Sequence, residues 1–236
     1  MASLFNKVDL LQITYAFHFR KKLSHYFYLL LLFVSLPAFS QNADIASYLP
    51  SGCYHAGQYE QKKTVEGIDK DLNTKGTFLF NCDQGLIWNT NNPINETLIY
   101  KIQGNHSIIN ADGSVKTLEG RIHRELGKLL NNLIGGNAEY LHQNFTSMPF
   151  SIDHIDKEPE KGLELTPKSK QMQKFLRGLQ IRQGKESVSI TLYLGEKETT
   201  YIRIFGRQQF TEMNAAQCLD ITKLSAACDA LFKGAK

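Results

Sequence analysis

At 236 residues the chain has room for one domain, two at most, and for a full apolar core. Its formal net charge is +4, but the first 40 residues carry four bases (Lys7, Arg20, Lys21, Lys22) and one acid (Asp9), so the remaining 196 residues carry only +1. A nearly neutral domain lacks the clustered Lys and Arg that nucleic acid requires, so no nucleic-acid partner is expected.

The chain opens with residues 1–16, an unusual extension read as an over-long start site. "FRKKLSHYFYLLLLFVSLPAFSQ" then sets a basic cluster before an apolar run from Tyr26 to Leu36, with small residues at Ala38 and Ser40. That layout predicts a secretory signal peptide cleaved near Ser40. A membrane anchor is the competing reading, but the run falls well short of the roughly 20 residues a spanning helix needs. No cysteine stands at the cleavage point, which argues against a lipoprotein. Residues 41–236 then form a single domain.

"NADIASYLP" predicts a short helix closed by Pro50. "YHAGQYEQKK" and "TKGTFLFN" read as a long antiparallel pair across a polar, turn-rich stretch around Gly67. "GLIWNT", "TLIYKI" and "IIN" continue a meander of short strands to about residue 117, with Asp112-Gly113 as a hairpin turn. The pattern then changes to apolar residues three and four apart: Leu118, Ile122, Leu126, Leu129, Leu130, Leu133 and Ile134. This is one face of an amphipathic helix, stopped by Gly135 and Gly136. "NAEYLHQNF" adds a second short helix. Strands return at "PFSIDHID", "GLELTPK" and "LRGLQIRQ", and "SVSITLYL" and "TTYIRIF" alternate cleanly about a turn at "GEKE". The tail has helical spacing at Ile221, Leu224, Cys228 and Leu231. The whole reads as α+β: one antiparallel sheet interrupted by a helical insert.

Four cysteines (Cys53, Cys82, Cys218, Cys228) in an exported chain predict two disulfides, with three pairings open. Their spacing matches no zinc pattern, so no metal is expected. Nor is a cofactor: there is no GxSxG, HExxH, P-loop or GxGxxG. His55, His106, His123, His142 and His154 are scattered, and Glu158 and Glu160 sit in a charged turn that reads as solvated. An exported hydrolase would need a nucleophile and base that meet only in the fold.

What stands out is the placement of apolar residues. Phe78 and Phe80 share one side of their strand, and Leu86 and Trp88 one side of the next. Ile99 is set against Leu98, and Ile190, Leu192 and Leu194 share a later face. A sheet this long with few helices to cover it can curl into a partly filled wall able to hold a lipid. The pattern alone favours the alternative, a fully packed core.

"FNCDQGLIWNTNNPINETLI" resembles the LolA family of periplasmic lipoprotein carriers: a strand, a tryptophan (Trp88), four residues, a proline (Pro93), then an aliphatic strand (Leu98). "YEQKK" at 59–63, "LELTPK" at 163–168 and "LLNNLIGGNAEYLHQNF" fall in the same order as family features, over roughly residues 45–211. The resemblance implies a strongly curved antiparallel sheet forming an unclosed β-barrel, covered by a helical lid at 118–145. It also implies a cavity for acyl chains and carriage of a lipoprotein or other acylated cargo across the periplasm, without catalysis. The partners implied are an inner-membrane donor and an outer-membrane acceptor, and the state a monomer. Matched by position, Phe78, Phe80, Leu86, Trp88 and Leu98 face the cavity. Leu126, Leu129, Leu130 and Leu133 form the lid's inward side.

Two departures stand against the family pattern. Where the family has an arginine that helps hold the lid, this chain has Cys82 followed by Asp83. We expect a disulfide from Cys82 to Cys53 in its place, with Cys218 joined to Cys228 to staple the tail. The cysteine-bearing tail at 212–236 is itself the second departure, and it points to a divergent relative. A binding or assembly module with a filled core is the other reading of the same fold.

Overall fold

The computed structural model describes residues 44–154 and 157–233; the expected signal peptide lies outside them. Asp44 caps the first element, a short 3₁₀ helix at Ile45–Tyr48, by accepting the Ala46 N–H at 3.2 Å. Eleven strands follow: β1 Tyr54–Thr64, β2 Leu72–Asn81, β3 Gly85–Asn92, β4 Glu96–Lys101, β5 Ser107–Ile109, β6 Val115–Thr117, β7 Phe145–His154, β8 Lys157–Pro167, β9 Gly178–Gln183, β10 Ser187–Tyr193 and β11 Thr199–Phe210. Helices α1 Arg121–Ile134 and α2 Ala138–Asn144 lie between β6 and β7, and the one-turn α3 Lys170–Gln173 between β8 and β9. Helices α4 Ala215–Thr222 and α5 Ser225–Phe232 end the chain.

All eleven strands form one sheet, in the order β6-β5-β4-β3-β2-β1-β11-β10-β9-β8-β7, and every pairing is antiparallel. The two edges, β6 and β7, do not pair, so the sheet is unclosed. It also bends. The end of α1 rests on β2, where a Cβ on Gly135 would lie 2.5 Å from the Phe80 ring. Ten residues later, seven of them helical, Phe145 begins β7. That segment reaches about 20 Å. In a flat sheet six strand steps would separate β2 from β7 by about 29 Å. Only a sheet curled toward the helices lets this connection close.

Cross-strand rows alternate between the two faces. Phe78, Trp88 and Leu98 form one row, and Phe80, Leu86 and Tyr100 another, on the concave side. Between them, Leu79, Ile87 and Ile99 point the other way. The concave rows join Ile45, Leu129, Leu133, Ile134 and Leu141 of the covering helices, and Leu163, Leu179, Ile190 and Ile204 of the far strands, in one apolar cluster. The convex row forms a second cluster with Met213, Cys218, Ala227, Cys228 and Leu231. Strands β2 to β4 are therefore dry on both faces, between α1 inside and α4–α5 outside.

Strands β10 and β11 instead keep the one-sided burial that their alternation predicts. The tail differs from one continuous helical run. Lys223 takes a left-handed conformation, φ 59°, which ends α4 and lets α5 start afresh at Ser225. Asn214 and Gln217 cap α4 reciprocally through side chain and backbone. Both disulfides are present as expected, Cys53–Cys82 and Cys218–Cys228. The first extends the β1–β2 register by one pair beyond Tyr54 and Asn81, and the Cys82 N–H donates to the Cys53 carbonyl at 3.0 Å. The second ties α4 to α5.

Candidate functional site

The concave face is built from alternation. Along β1, β2 and β3, every second side chain turns inward, which brings Tyr59, Phe78 and Trp88 together. Tyr59 stacks on Trp88 with ring centroids 3.9 Å apart, and the Phe78 ring lies 6.1 Å from that of Trp88. The Tyr59 hydroxyl meets Thr90 Oγ1 at 2.6 Å, so its polar tip is satisfied at the margin of an apolar stack. Burial, the largest cause, pushes the phenol up to about 12.

Over this wall lies α1. It closes with a Schellman turn: the Asn137 N–H bonds the Asn132 carbonyl at 2.9 Å, with Gly136 at φ 68° between them. Gly127 lets the helix backbone sit directly on β4 and on His106, the residue before β5, since a Cβ there would come within 2.6 Å of the Tyr100 ring and 2.7 Å of His106. The Asn131 amide donates to the Tyr100 carbonyl at 3.0 Å, a polar fixing point inside the apolar contact. At the other end Arg121 donates to Gln171, which ties the start of α1 to α3.

Phe78, Phe80, Leu86 and Trp88 all lie in the cluster under α1, each at most 5% exposed, as do Leu129 and Leu133 of the helix. Leu98 and Leu130 are half-buried and pack against the cluster. Leu126 is half-buried and is not part of it. Among the described residues the concave side is filled by the protein's own side chains, with α1 and α2 seated on it. Acyl chains could enter only if those helices moved.

Open space lies elsewhere. A cleft of about 670 Å³ sits where the β9–β10 hairpin ends and β1 and β11 run on past it. Gly206, at φ 59°, makes a bulge there: the register slips between Gln58 and Ala56, and the residues after it change face. Arg207 and Gln209 line the cleft, together with Lys185, Glu186 and Arg203, and His55 of β1 also borders it. His55 is 1% exposed, and neither ring nitrogen reaches hydrogen-bonding geometry. Burial, then the charge of Arg207, push its pKa down to about 4; the backbone carbonyls of Ile134 and Gly52 lie near enough to oppose this weakly.

In the sequence His55 is one of several scattered histidines. The available signal was its alternation with Gly57 and Tyr59, which puts it on the inner face of β1. A second, shallower hollow of about 400 Å³ lies among Lys62, Asn73, Lys75 and Tyr201. Neither space is lined by the residues matched to the acyl site. His106 is also buried, its pKa lowered mainly by desolvation, with its ring edge-on to Tyr100 at 5.4 Å. Among the described residues no group of three or more His, Cys, Asp and Glu could hold a metal, and no helix is long and apolar enough to cross a membrane.

Solved structures offer distant likenesses. A LolA superfamily protein from Nitrosomonas europaea has a TM-score of 0.41 and 8% identity, over 72% of this chain and 91% of its own. A DUF1329 family protein from Desulfovibrio piger has 0.41 and 11%, over 73% and 93%. A lipoprotein-sorting protein domain from Vibrio parahaemolyticus, described as an outer-membrane one, has 0.38 and 8%, over 76% and 95%. No family model matches the chain, and no curated protein does. Identities of 8–11% leave function to be argued from this chain's own residues.

Proposed function

We propose that the protein is an exported, soluble carrier that holds the acyl chains of a lipoprotein or lipid against its concave face and moves them from the inner to the outer membrane. The observation that carries this reading is the roof. Helices α1 and α2 cover a continuous apolar wall, yet no disulfide ties them to it. Such a roof can swing away and leave a lipid-sized dry surface, whereas the sheet beneath it is cross-linked at Cys53–Cys82. The two disulfides fit an oxidising compartment, and with the signal layout they support a periplasmic carrier. Carriage needs no catalytic group and no cofactor, and the working unit is a monomer passing cargo from a membrane donor to a membrane acceptor.

Trp88 is the only tryptophan and lies in the wall, stacked on Tyr59. Titration with a fluorescent-silent fatty acid or a triacylated lipopeptide should shift its emission as the stack opens. Native mass spectrometry of protein taken from the periplasm should show the bound mass. No emission shift and no bound mass with any acyl ligand would defeat the carrier reading.

The second reading is a binding or assembly module with a filled core, and one observation favours it. Phe78, Leu86, Trp88, Leu129 and Leu133 already saturate each other's surface. The same titration decides between the two, because a permanently filled core leaves Trp88 indifferent to lipid.

A further inference from the structure

We propose that the cleft at the end of the β9–β10 hairpin is a binding site for a compact oxyanion of the phosphate kind, held by Arg207 and His55. The argument begins with strand lengths. β10 starts at Ser187, opposite Phe205, while β11 continues to Phe210, opposite Tyr54. The last five residues of β11 therefore have no neighbour on the β10 side, and the step leaves the 670 Å³ cleft. The bulge at Gly206 re-aims the strand where the cleft opens.

The charges there are incompletely matched. Arg203 is paired with Glu60 at 3.6 Å and rests over the Phe205 ring, so it is already engaged. Among the described residues neither Arg207 nor Lys185 has a carboxylate within salt-bridge distance, and Glu186 is the one acid in the lining. A guanidinium with a free planar fork is the side chain suited to a phosphate.

The floor supplies the second observation. The His55 ring is buried and borders the cleft, and neither nitrogen has a partner in hydrogen-bonding geometry, the Ile134 and Gly52 carbonyls being near but poorly placed. Buried polar groups in folded proteins almost always have a partner, so an under-satisfied ring at the border of a cleft is a place that a bound group would complete. Held neutral beside Arg207, the ring has one N–H to donate. An oxyanion between the two would accept from both and would also cancel the repulsion that Arg207 exerts on a charged His55.

Beside this polar corner the cleft is walled by Val188 and Ile204, which belong to the concave apolar cluster. The anion is either free or the head of an amphiphile whose tail continues along that wall; the second form rests on the carrier reading above, while the anion site does not.

Calorimetric titration of the protein with inorganic phosphate, with octyl phosphate below its micellar concentration, and with octanol separates these cases. Octyl phosphate is expected to bind at least tenfold more tightly than octanol. Arg207→Gln should remove that advantage, and Arg207→Lys should restore part of it. His55→Leu should weaken binding as well, with Arg207→Gln, at an exposed position, as the variant that leaves the fold intact. Inorganic phosphate binding as tightly as octyl phosphate, with the same loss in Arg207→Gln, supports the site and identifies its ligand as a free anion. Anion binding lost in Arg207→Gln while Trp88 ignores every acyl ligand supports the site and ends the carrier reading. Octanol and octyl phosphate binding alike, untouched by Arg207→Gln, overturns the anion site and leaves the carrier reading standing. No binding of either phosphate overturns the anion site outright.

Discussion

His55 must be neutral for the fold to be at its most stable. Its folded pKa of about 4 lies below the value of about 6.5 that an unfolded chain would show. Below pH 6.5 the unfolded chain takes a proton that the folded protein refuses, so stability is full above that pH and is lost as pH falls toward 4. By pH 5 the loss reaches about 2 kcal/mol. Urea unfolding at pH 7.5 and pH 5 should show it, and His55→Leu should flatten the difference; an unchanged difference in the variant would assign the acid sensitivity to other groups. His106 acts in the same direction, since burial lowers its pKa too. Gly127 makes an opposite kind of demand. In a solvent-facing helix, Gly→Ala gains about 1 kcal/mol. Here the new methyl would strike the Tyr100 and His106 rings at 2.6 and 2.7 Å. Gly127→Ala should therefore destabilise by about 1–3 kcal/mol, the range for overpacking, and should speed hydrogen exchange in α1. A stabilised variant would mean that α1 does not sit as closely on Tyr100 and His106 as described.

Among the elements, the C-terminal helix pair has a clear structural task. Leu79, Ile87 and Ile99 are at most 1% exposed, and they owe that to α4 and α5. The Asn81 amide fastens the end of β2 to the Met213 carbonyl at 3.1 Å, just before α4, and Lys101 reaches the Lys233 carbonyl at 2.9 Å after α5. A chain ended at Phe210 would bare this row along three strands, and size-exclusion chromatography should show it associating or aggregating. The two disulfides differ in reach. Cys53–Cys82 closes a sequence separation of 29 and Cys218–Cys228 one of 10. In the chain-entropy account the first stabilises by about 3.5 kcal/mol and the second by about 2.5 kcal/mol. Paired Cys→Ser variants measured in urea should fall in that order. Equal losses would show that the tail disulfide acts on the native helix pair as well as on the unfolded chain.

At the scale of the whole molecule, much of the architecture is written locally and can be read without coordinates. Alternating residues and turn glycines mark β1 to β6 and the β10–β11 hairpin, the 3.6-residue period marks α1, and Gly135-Gly136 marks its end. The inward rows of Phe78, Trp88 and Leu98 follow from the same period of two. What escapes local reading is what lies against what. The unbroken apolar runs Phe78-Leu79-Phe80 and Leu86-Ile87-Trp88 announce burial on both faces, but their outer cover arrives more than 120 residues later in the chain. The cleft depends on a strand outlasting its neighbour at a one-residue bulge, and only the register shows that. The two-sided burial also has a mechanical result. β2 to β4 are clamped between helices, whereas β8 to β10 carry cover on the inner side only, with Ser187, Ser189 and Thr191 facing outward. One flank is a stiff keel and the other a thin leaf. Anything that swells the interior will be accommodated by the leaf bowing outward, so deuterium uptake on cargo loading should rise more along β8–β10 than along β2–β4, which α4 and α5 still back when α1 lifts.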